Sequence, residues 1–226
     1  GYTSLEPFLE RLFSRRDPED VELILNKLTT NYTYFLREPD HFTYFQNVIL
    51  PELEKRHQKD RVLSIWSAGC SSGEEPYTLS IYLKEYFGSK AAQWDTRVLA
   101  TDISQQAMAK ATAGLYHVPA DMPNDWLRRY FTFDKSTGLY SVGPAIRKNV
   151  IFRPFNLMDP IQFRLKFDVI FCRNVMIYFN QETRDGLVKR FYDAMYPNGY
   201  LFVSHSESLG QDPKFRLVSP SIYQKK

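Results

Sequence analysis

Residues 62–77 read VLSIWSAGCSSGEEPY. The first five form a short apolar run of strand type, and residues 67–73 are a small-residue turn carrying Gly69 and Gly73. That turn feeds a helix predicted over residues 74–87, with Pro76 in its first turn. Strand, glycine turn and helix in this order are the opening unit of a doubly wound α/β sheet.

The chain on either side repeats the alternation. Downstream, RVLATD (97–102) reads as a second strand ending on Asp102, with a helix over 105–113. Residues 150–155 read as another strand, and FDVIFC (167–172) is apolar enough for the centre of a parallel sheet. A helix is predicted over 181–196, stopped by Pro197 and Gly199, then strands at 200–204 and 215–223 that can pair as an antiparallel edge. Such alternation predicts a doubly wound, mainly parallel sheet, with the strand order left open. Tyr130-Phe131-Thr132-Phe133, a turn at 135–138 and Leu139-Tyr140-Ser141-Val142 have a hairpin signature and interrupt it as an insertion. Upstream, residues 42–55 have helical apolar spacing, kinked or interrupted at Pro51; 29–40 read as a connector and 5–28 as one or two helices, with Asp17 and Pro18 suited to a helix start. The expected organisation is an N-terminal helical segment over 1–30, a connector and helix covering the site over 31–60, and a main domain over 61–226 with a β-subdomain inserted at about 127–153.

Composition narrows the function classes. The 226 residues are 43% hydrophobic, enough for one sizeable packed domain with a small appendage. No apolar run approaches the roughly 20 residues that span a bilayer, and the first residues lack the pattern of a signal peptide, so a protein not embedded in a membrane is expected. Cys70 and Cys172 are the only cysteines and have no metal-type spacing, which predicts no disulfide scaffold, no bound metal and a reducing cytoplasm. A net charge of +3 does not imply nucleic acid. Between residues 127 and 153, however, Arg128, Arg129, Lys135, Arg147, Lys148 and Arg153 are opposed only by Asp134. The plainer reading is a solvated surface; the sharper one is a platform for an acidic partner, met in a salt-sensitive encounter.

In a doubly wound sheet the ligand site lies outside the carboxyl ends of the strands. A dinucleotide site there carries G-x-G-x-x-G, which brings amides onto a pyrophosphate; this turn shows G-x-x-x-G instead. Glu74 and Glu75 follow at once, and two carboxylates repel phosphate but suit a ligand bearing an ammonium group. Asp102 closes the second strand, where an acid binds ribose hydroxyls, although Asp-Ile-Ser also suits a helix N-cap. A ribose-binding acid beside a carboxylate-bearing loop points to S-adenosylmethionine over a nicotinamide dinucleotide.

The stretches NYTYFLRE (31–38), WSAGCSSGEEPY (66–77), ATDIS (100–104), FNL (155–157), CRNVMIYF (172–179) and HSESL (205–209) together closely resemble the chemotaxis protein methyltransferases, the CheR family, from about residue 28 to the end. The resemblance implies a class I methyltransferase-like, Rossmann-like fold and S-adenosylmethionine as cofactor, with S-adenosylhomocysteine as product. It implies that Asn31, Thr33 and Arg37 reach over the cofactor, that Glu74 takes its ammonium and Asp102 its ribose, and that Asn156 and Leu157 hold the adenine. Arg173 and Asn174 would line the floor, and Tyr178 would sit beside the methyl group being moved. The plainer reading of Arg37 is a surface arginine paired with Glu38 or Asp40, and of Tyr178 a core aromatic. His205 and Glu207 read as structural. The family usually carries a longer helical N-terminal domain that helps engage the receptor; only one or two helices precede Asn31 here. The implied partners are cytoplasmic chemoreceptor helices, with a receptor C-terminal peptide docked in some members by the small β-subdomain; a monomer is expected.

The implied reaction is methyl transfer to receptor glutamates. A glutamate is already ionised at pH 7, so no general base is needed, in keeping with the lack of any Ser/His/Asp or Cys/His arrangement. Arg37 and Tyr178 are the candidate catalytic residues, orienting the carboxylate. The alternatives are a methyltransferase for another protein or a small acid, and a regulatory module that binds the cofactor without transfer; intact Asn31, Arg37 and Tyr178 speak against the second.

Overall fold

The structure, a computed structural model, describes Ser14, residues 32–117 and residues 122–226. The helices expected over 5–28, apart from Ser14, and the candidate site residue Asn31 lie outside the described residues.

The opening unit is β1 (Ile65–Ala68), wholly buried, followed by α3 (Glu74–Phe87). Ahead of it lie α1 (Pro39–Tyr44), a π-helical turn (Phe45–Ile49) and α2 (Leu50–Arg56), which run without a break. Pro51 therefore does not interrupt the segment; the wide turn just before it absorbs the missing amide and the ring's clash with the preceding turn. The first strand starts later than its apolar run suggests, because Val62 makes only an isolated bridge to Asp95.

After α3 come β2 (Val98–Asp102), α4 (Gln105–Ala113), β3 (Leu115–Tyr116), α5 (Asn124–Tyr130), β4 (Phe131–Asp134), β5 (Leu139–Val142), α6 (Pro144–Arg147) and β6 (Val150–Pro154). The chain then crosses to β7 (Phe167–Phe171), α7 (Gln181–Ala194), β8 (Met195–Phe202), β9 (Phe215–Ser219) and β10 (Ile222–Lys225). The main sheet has the order β6-β2-β1-β7-β8-β10-β9, parallel through β8 with β10 antiparallel to both its neighbours. The stretch expected as one strand over 215–223 is instead a hairpin turning at Ser221 (φ 59°), and its second strand inserts beside β8. α7 ends at Ala194, two residues early, and Pro197 falls where the β7–β8 register shifts; a bulge tolerates its missing amide. A separate small sheet, β3-β5-β4, contains the expected hairpin and a short third strand.

Alternate residues of the central strands serve two cores. Ile65, Val169 and Phe171 pack with Phe42, Phe45, Leu50 and Leu79 on one face. Trp66, Ile170 and Cys172 pack with Phe167, Leu187 and Phe191 on the other. Trp66 buries its ring fully and satisfies its Nε1–H on Thr101 Oγ1 at 2.9 Å. Strand order reverses between β1, whose successor lies on one side, and β7 on the other, which opens a crevice at their carboxyl ends.

Candidate active site

A cavity of about 450 Å³ fills that crevice, within the range of small-molecule sites. Its wall is built from the connector (Tyr32, Thr33, Tyr34, Arg37), the turn after β1 (Gly69, Cys70, Ser71) with Glu75 of α3, and Asp102 and Ile103 at the end of β2. Residues 155–158 after β6, 173–175, 178 and 179 after β7, and Phe42 of α1 complete it.

The turn after β1 is shaped by close approach. Gly69 has φ +87°, and a Cβ there would lie 2.4 Å from Val175 Cγ2, so only glycine lets the two loops meet. The amides of this turn are already taken. Gly69 and Cys70 donate to the Thr101 carbonyl (2.8 and 2.9 Å), Ser71 to Asp102 Oδ2 (2.7 Å) and Gly73 to the Cys70 carbonyl (3.0 Å). A pyrophosphate would find none of these four N–H groups free, which disfavours a dinucleotide.

Asp102 accepts from Ser71 N and, through Oδ1, from Ser104 N at 2.9 Å. The N-cap of α4 is Ser104, whose hydroxyl accepts from Ala107 N. Asp102 is thus not the cap; it faces the cavity with lone pairs left for a vicinal diol. Burial pushes its carboxyl above the usual range, against those amide bonds.

Of the two glutamates opening α3, the structure selects the second. Glu74 is not a cavity residue: its carboxylate accepts from Ser72 Oγ at 2.8 Å and turns away from the crevice. Glu75, 100° further round the helix, lines the cavity, accepting from Ser67 Oγ (2.7 Å) and Arg173 Nη1 (3.0 Å). Glu74, the residue expected to meet the ligand's ammonium, is thus not among the residues that line the cavity, and Glu75 is. Burial raises the carboxyl of Glu75, and the Arg173 guanidinium opposes that rise.

Arg173 is buried and ties three elements together. It bridges Glu75 to Glu38 (3.1 Å), donates to the Arg37 carbonyl, and lies over the Phe42 ring at 5.2 Å. One guanidinium facing two carboxylates leaves an acid beside the cavity for a second cation, a place that suits an ammonium group. His41 adds no charge at neutral pH, since burial and then Arg173 lower it to about 4. Glu38, His41 and His205 place ligating atoms within 4.8 Å of one another. The Glu38 oxygen nearest His41, at 3.3 Å, is however the one that also holds Arg173. A guanidinium in that position disfavours a divalent ion.

Thr33, Arg37, Gly69, Asp102, Asn156, Leu157, Arg173, Asn174 and Tyr178 all line the one cavity. Asn156 Oδ1 accepts from Met158 N (2.9 Å), shaping the turn after β6, and buried Leu157 with Ile103 offers an apolar flank to a flat ring. Asn174 sits at φ 59°, and its amide, with those of Ile177 and Ser204, donates to Glu207 (2.8–3.1 Å). Glu207 thereby holds the loop that carries Asn174 and Tyr178. Tyr178 is 57% exposed at the cavity mouth, which excludes the core reading. Arg37 pairs with neither Glu38 nor Asp40, which bind Arg173 and His205. Of the basic run, Arg129 pairs with Glu85 and Asp125 and Arg147 donates to the Thr112 carbonyl; Arg128, Lys135, Lys148 and Arg153 stay exposed.

The residues the sequence did not single out for the cavity include Glu75, Tyr32, Tyr34, Phe42, Ile103 and Met158. The adjacent glutamates carried a signal that one of them acts, but not which.

Residues 31–223 match the family model of the CheR methyltransferase S-adenosylmethionine-binding domain. The chain is 38% identical to the chemotaxis protein methyltransferase of Borreliella burgdorferi, over 100% of this chain and 80% of that protein. It is 38% identical to chemotaxis protein methyltransferase 1 of Pseudomonas aeruginosa (98% and 83%) and 34% to the Escherichia coli protein (99% and 77%). An acid for a diol, an apolar flank, a carboxylate for an ammonium and a turn closed to phosphate all fit S-adenosylmethionine, and on these grounds together the chain belongs to the CheR methyltransferase family.

Proposed function

We propose that this protein transfers a methyl group from S-adenosylmethionine to glutamate side chains of chemoreceptors, forming carboxyl methyl esters for sensory adaptation. The relatives named as chemotaxis methyltransferases support the chemoreceptor part. The observation that carries the carboxylate is the cavity mouth. Arg37 lines the cavity without a carboxylate partner among the described residues, as does the exposed Tyr178 with its phenol.

The lining holds no candidate base among the described residues. Asp102 is held by two amides and Glu75 by Ser67 and Arg173. Burial pushes the Cys70 thiol far up, and no histidine lines the cavity. An amine or hydroxyl acceptor would have to lose a proton at the site. A glutamate, with an ordinary pKa near 4.3, arrives ionised.

When bound, S-adenosylmethionine supplies a methyl group on a positively charged sulfur. The chain's own residues bind, align and exclude water. Glu75 takes the ammonium, Asp102 the ribose, and Leu157 with Ile103 the flat ring. Thr33 and the connector cover the cavity. Arg37 and Tyr178 orient the incoming carboxylate, and alignment of this kind is worth several powers of ten in rate. Anion meets cation in the transition state, so exclusion of water favours the transfer.

Exposed Arg128, Lys135, Lys148 and Arg153 suit an acidic receptor surface. A receptor C-terminal peptide would add to the edge strand β4 of the small sheet. The test is transfer of labelled methyl to receptor-containing membranes, followed by mild base. Label on the receptor that base releases supports a carboxyl ester. Base-stable label, or none despite cofactor binding, refutes the assignment.

A further inference from the structure

Among the described residues, Arg37 is held at the cavity mouth by aromatic rings and meets no counter-ion. Its guanidinium carbon lies 5.9 Å from the Tyr32 ring centroid and 5.8 Å from that of Tyr34. The rings are 5.8 Å apart and tilted by 56°. Tyr32 and Tyr34, two positions apart in a segment with neither helix nor turn, both bring their rings to the same guanidinium. One donor, Nη1, is used on the Tyr32 carbonyl at 2.9 Å. The backbone is pinned as well: Phe35 packs edge-on against Tyr116 and Phe131, and Arg173 donates to the Arg37 carbonyl. Leu36 and Glu38, on either side, adopt left-handed φ values of 61° and 58°. Such backbone persists only where its surroundings over-determine it.

We propose that Tyr32 and Tyr34 are positioning residues for the acceptor, forming a bracket that aims Arg37 at the incoming carboxylate. This rests on the carboxylate reading of the acceptor. An aromatic face attracts a cation through its quadrupole but does not neutralise it. A carboxylate in the same place would fix Arg37 equally well and cancel the charge the acceptor needs. Among the described residues, one of the guanidinium's five donors is used, which leaves four for the substrate. Both rings line the cavity yet are 70% and 41% exposed, so burial alone does not account for them. The bracket leaves the arginine oriented, charged and, among the described residues, without an ion pair.

The test is a double-mutant cycle between the bracket and Arg37. Y32A/Y34A, Y32F/Y34F, R37A and the triple alanine variant are assayed against rising receptor concentration with saturating S-adenosylmethionine. S-adenosylhomocysteine affinity is measured in parallel. Two partly exposed cation–π contacts predict a loss of about tenfold in kcat/KM for Y32A/Y34A, mainly through acceptor KM. Cofactor affinity should stay within about twofold, and the phenylalanine pair should retain the wild-type value because the rings remain. On the R37A background the alanine pair should cost nothing further.

An unimpaired Y32A/Y34A overturns the bracket. So does a phenylalanine pair as poor as the alanine pair, a further loss on the R37A background, or a parallel loss of cofactor affinity. Base-labile label from the wild type with any of these results refutes the bracket alone. Absent or base-stable wild-type label refutes the carboxylate reading and the bracket with it.

Discussion

Replacing Glu75 by glutamine tests which of two adjacent carboxylates anchors the cofactor. The amide is isosteric and can still accept from Arg173 and meet Ser67, the partners now at 3.0 and 2.7 Å. What changes is charge: Arg173 then faces Glu38 alone, and no acid is left for a second cation. A hydrogen bond to a charged group contributes about 1.5–3 kcal/mol, so the ammonium should lose about 2 kcal/mol, or roughly thirtyfold in dissociation constant. Glu74→Gln should change affinity by less than about threefold, since that carboxylate meets Ser72 Oγ outside the cavity. Calorimetric titration with S-adenosylhomocysteine reads both, and thermal unfolding checks that each variant is folded. A larger loss for Glu74→Gln than for Glu75→Gln would refute the geometric assignment.

Three further outcomes follow from the same geometry. Gly69→Ala should lower stability by about 2–3 kcal/mol in urea unfolding, through the 2.4 Å approach to Val175 and the φ of +87°; adding Val175→Ala should recover the packing part but not the backbone part. Glu207→Ala strands three amides, of Asn174, Ile177 and Ser204, and should lower stability by about 3 kcal/mol while weakening turnover more than Lys214→Ala, a surface control. Cofactor affinity should fall on acidification from above the ordinary carboxylate range. Burial raises Glu75 and Asp102, the ammonium binds ionised Glu75, and protonation therefore competes with binding. Glu75→Gln should remove part of that dependence, and an unchanged pH profile would contradict it.

Much of the fold was legible because the signals were local. An apolar run, a small-residue turn and a helix start at residues 62–77 are short-range patterns, and their recurrence at 97–113 and 167–196 gives a doubly wound sheet its periodicity. Asp102 and the glycine turn were readable as a ligand site for the same reason: their place at strand ends follows from the order of elements alone. The shared segments from NYTYFLRE to HSESL identified the family because side chains that converge on one cavity are spread along the chain as short motifs.

Tertiary structure decided the rest. Whether Glu74 or Glu75 meets the ligand depends on how α3 is rotated against β7, since neighbours on a helix point 100° apart. The partner of Arg37 was settled by competition: Arg173, arriving from after β7, takes Glu38, and His205, from beyond β8, takes Asp40. The hairpin at β9 and β10 reverses at Ser221, after a local Ser219-Pro220 turn signal, but its place beside β8 is fixed by long-range pairing. Sequence patterns report the preferences of neighbouring residues, whereas charge partners and helix rotation are set by segments 98 and 135 residues apart, which only the folded chain brings into contact.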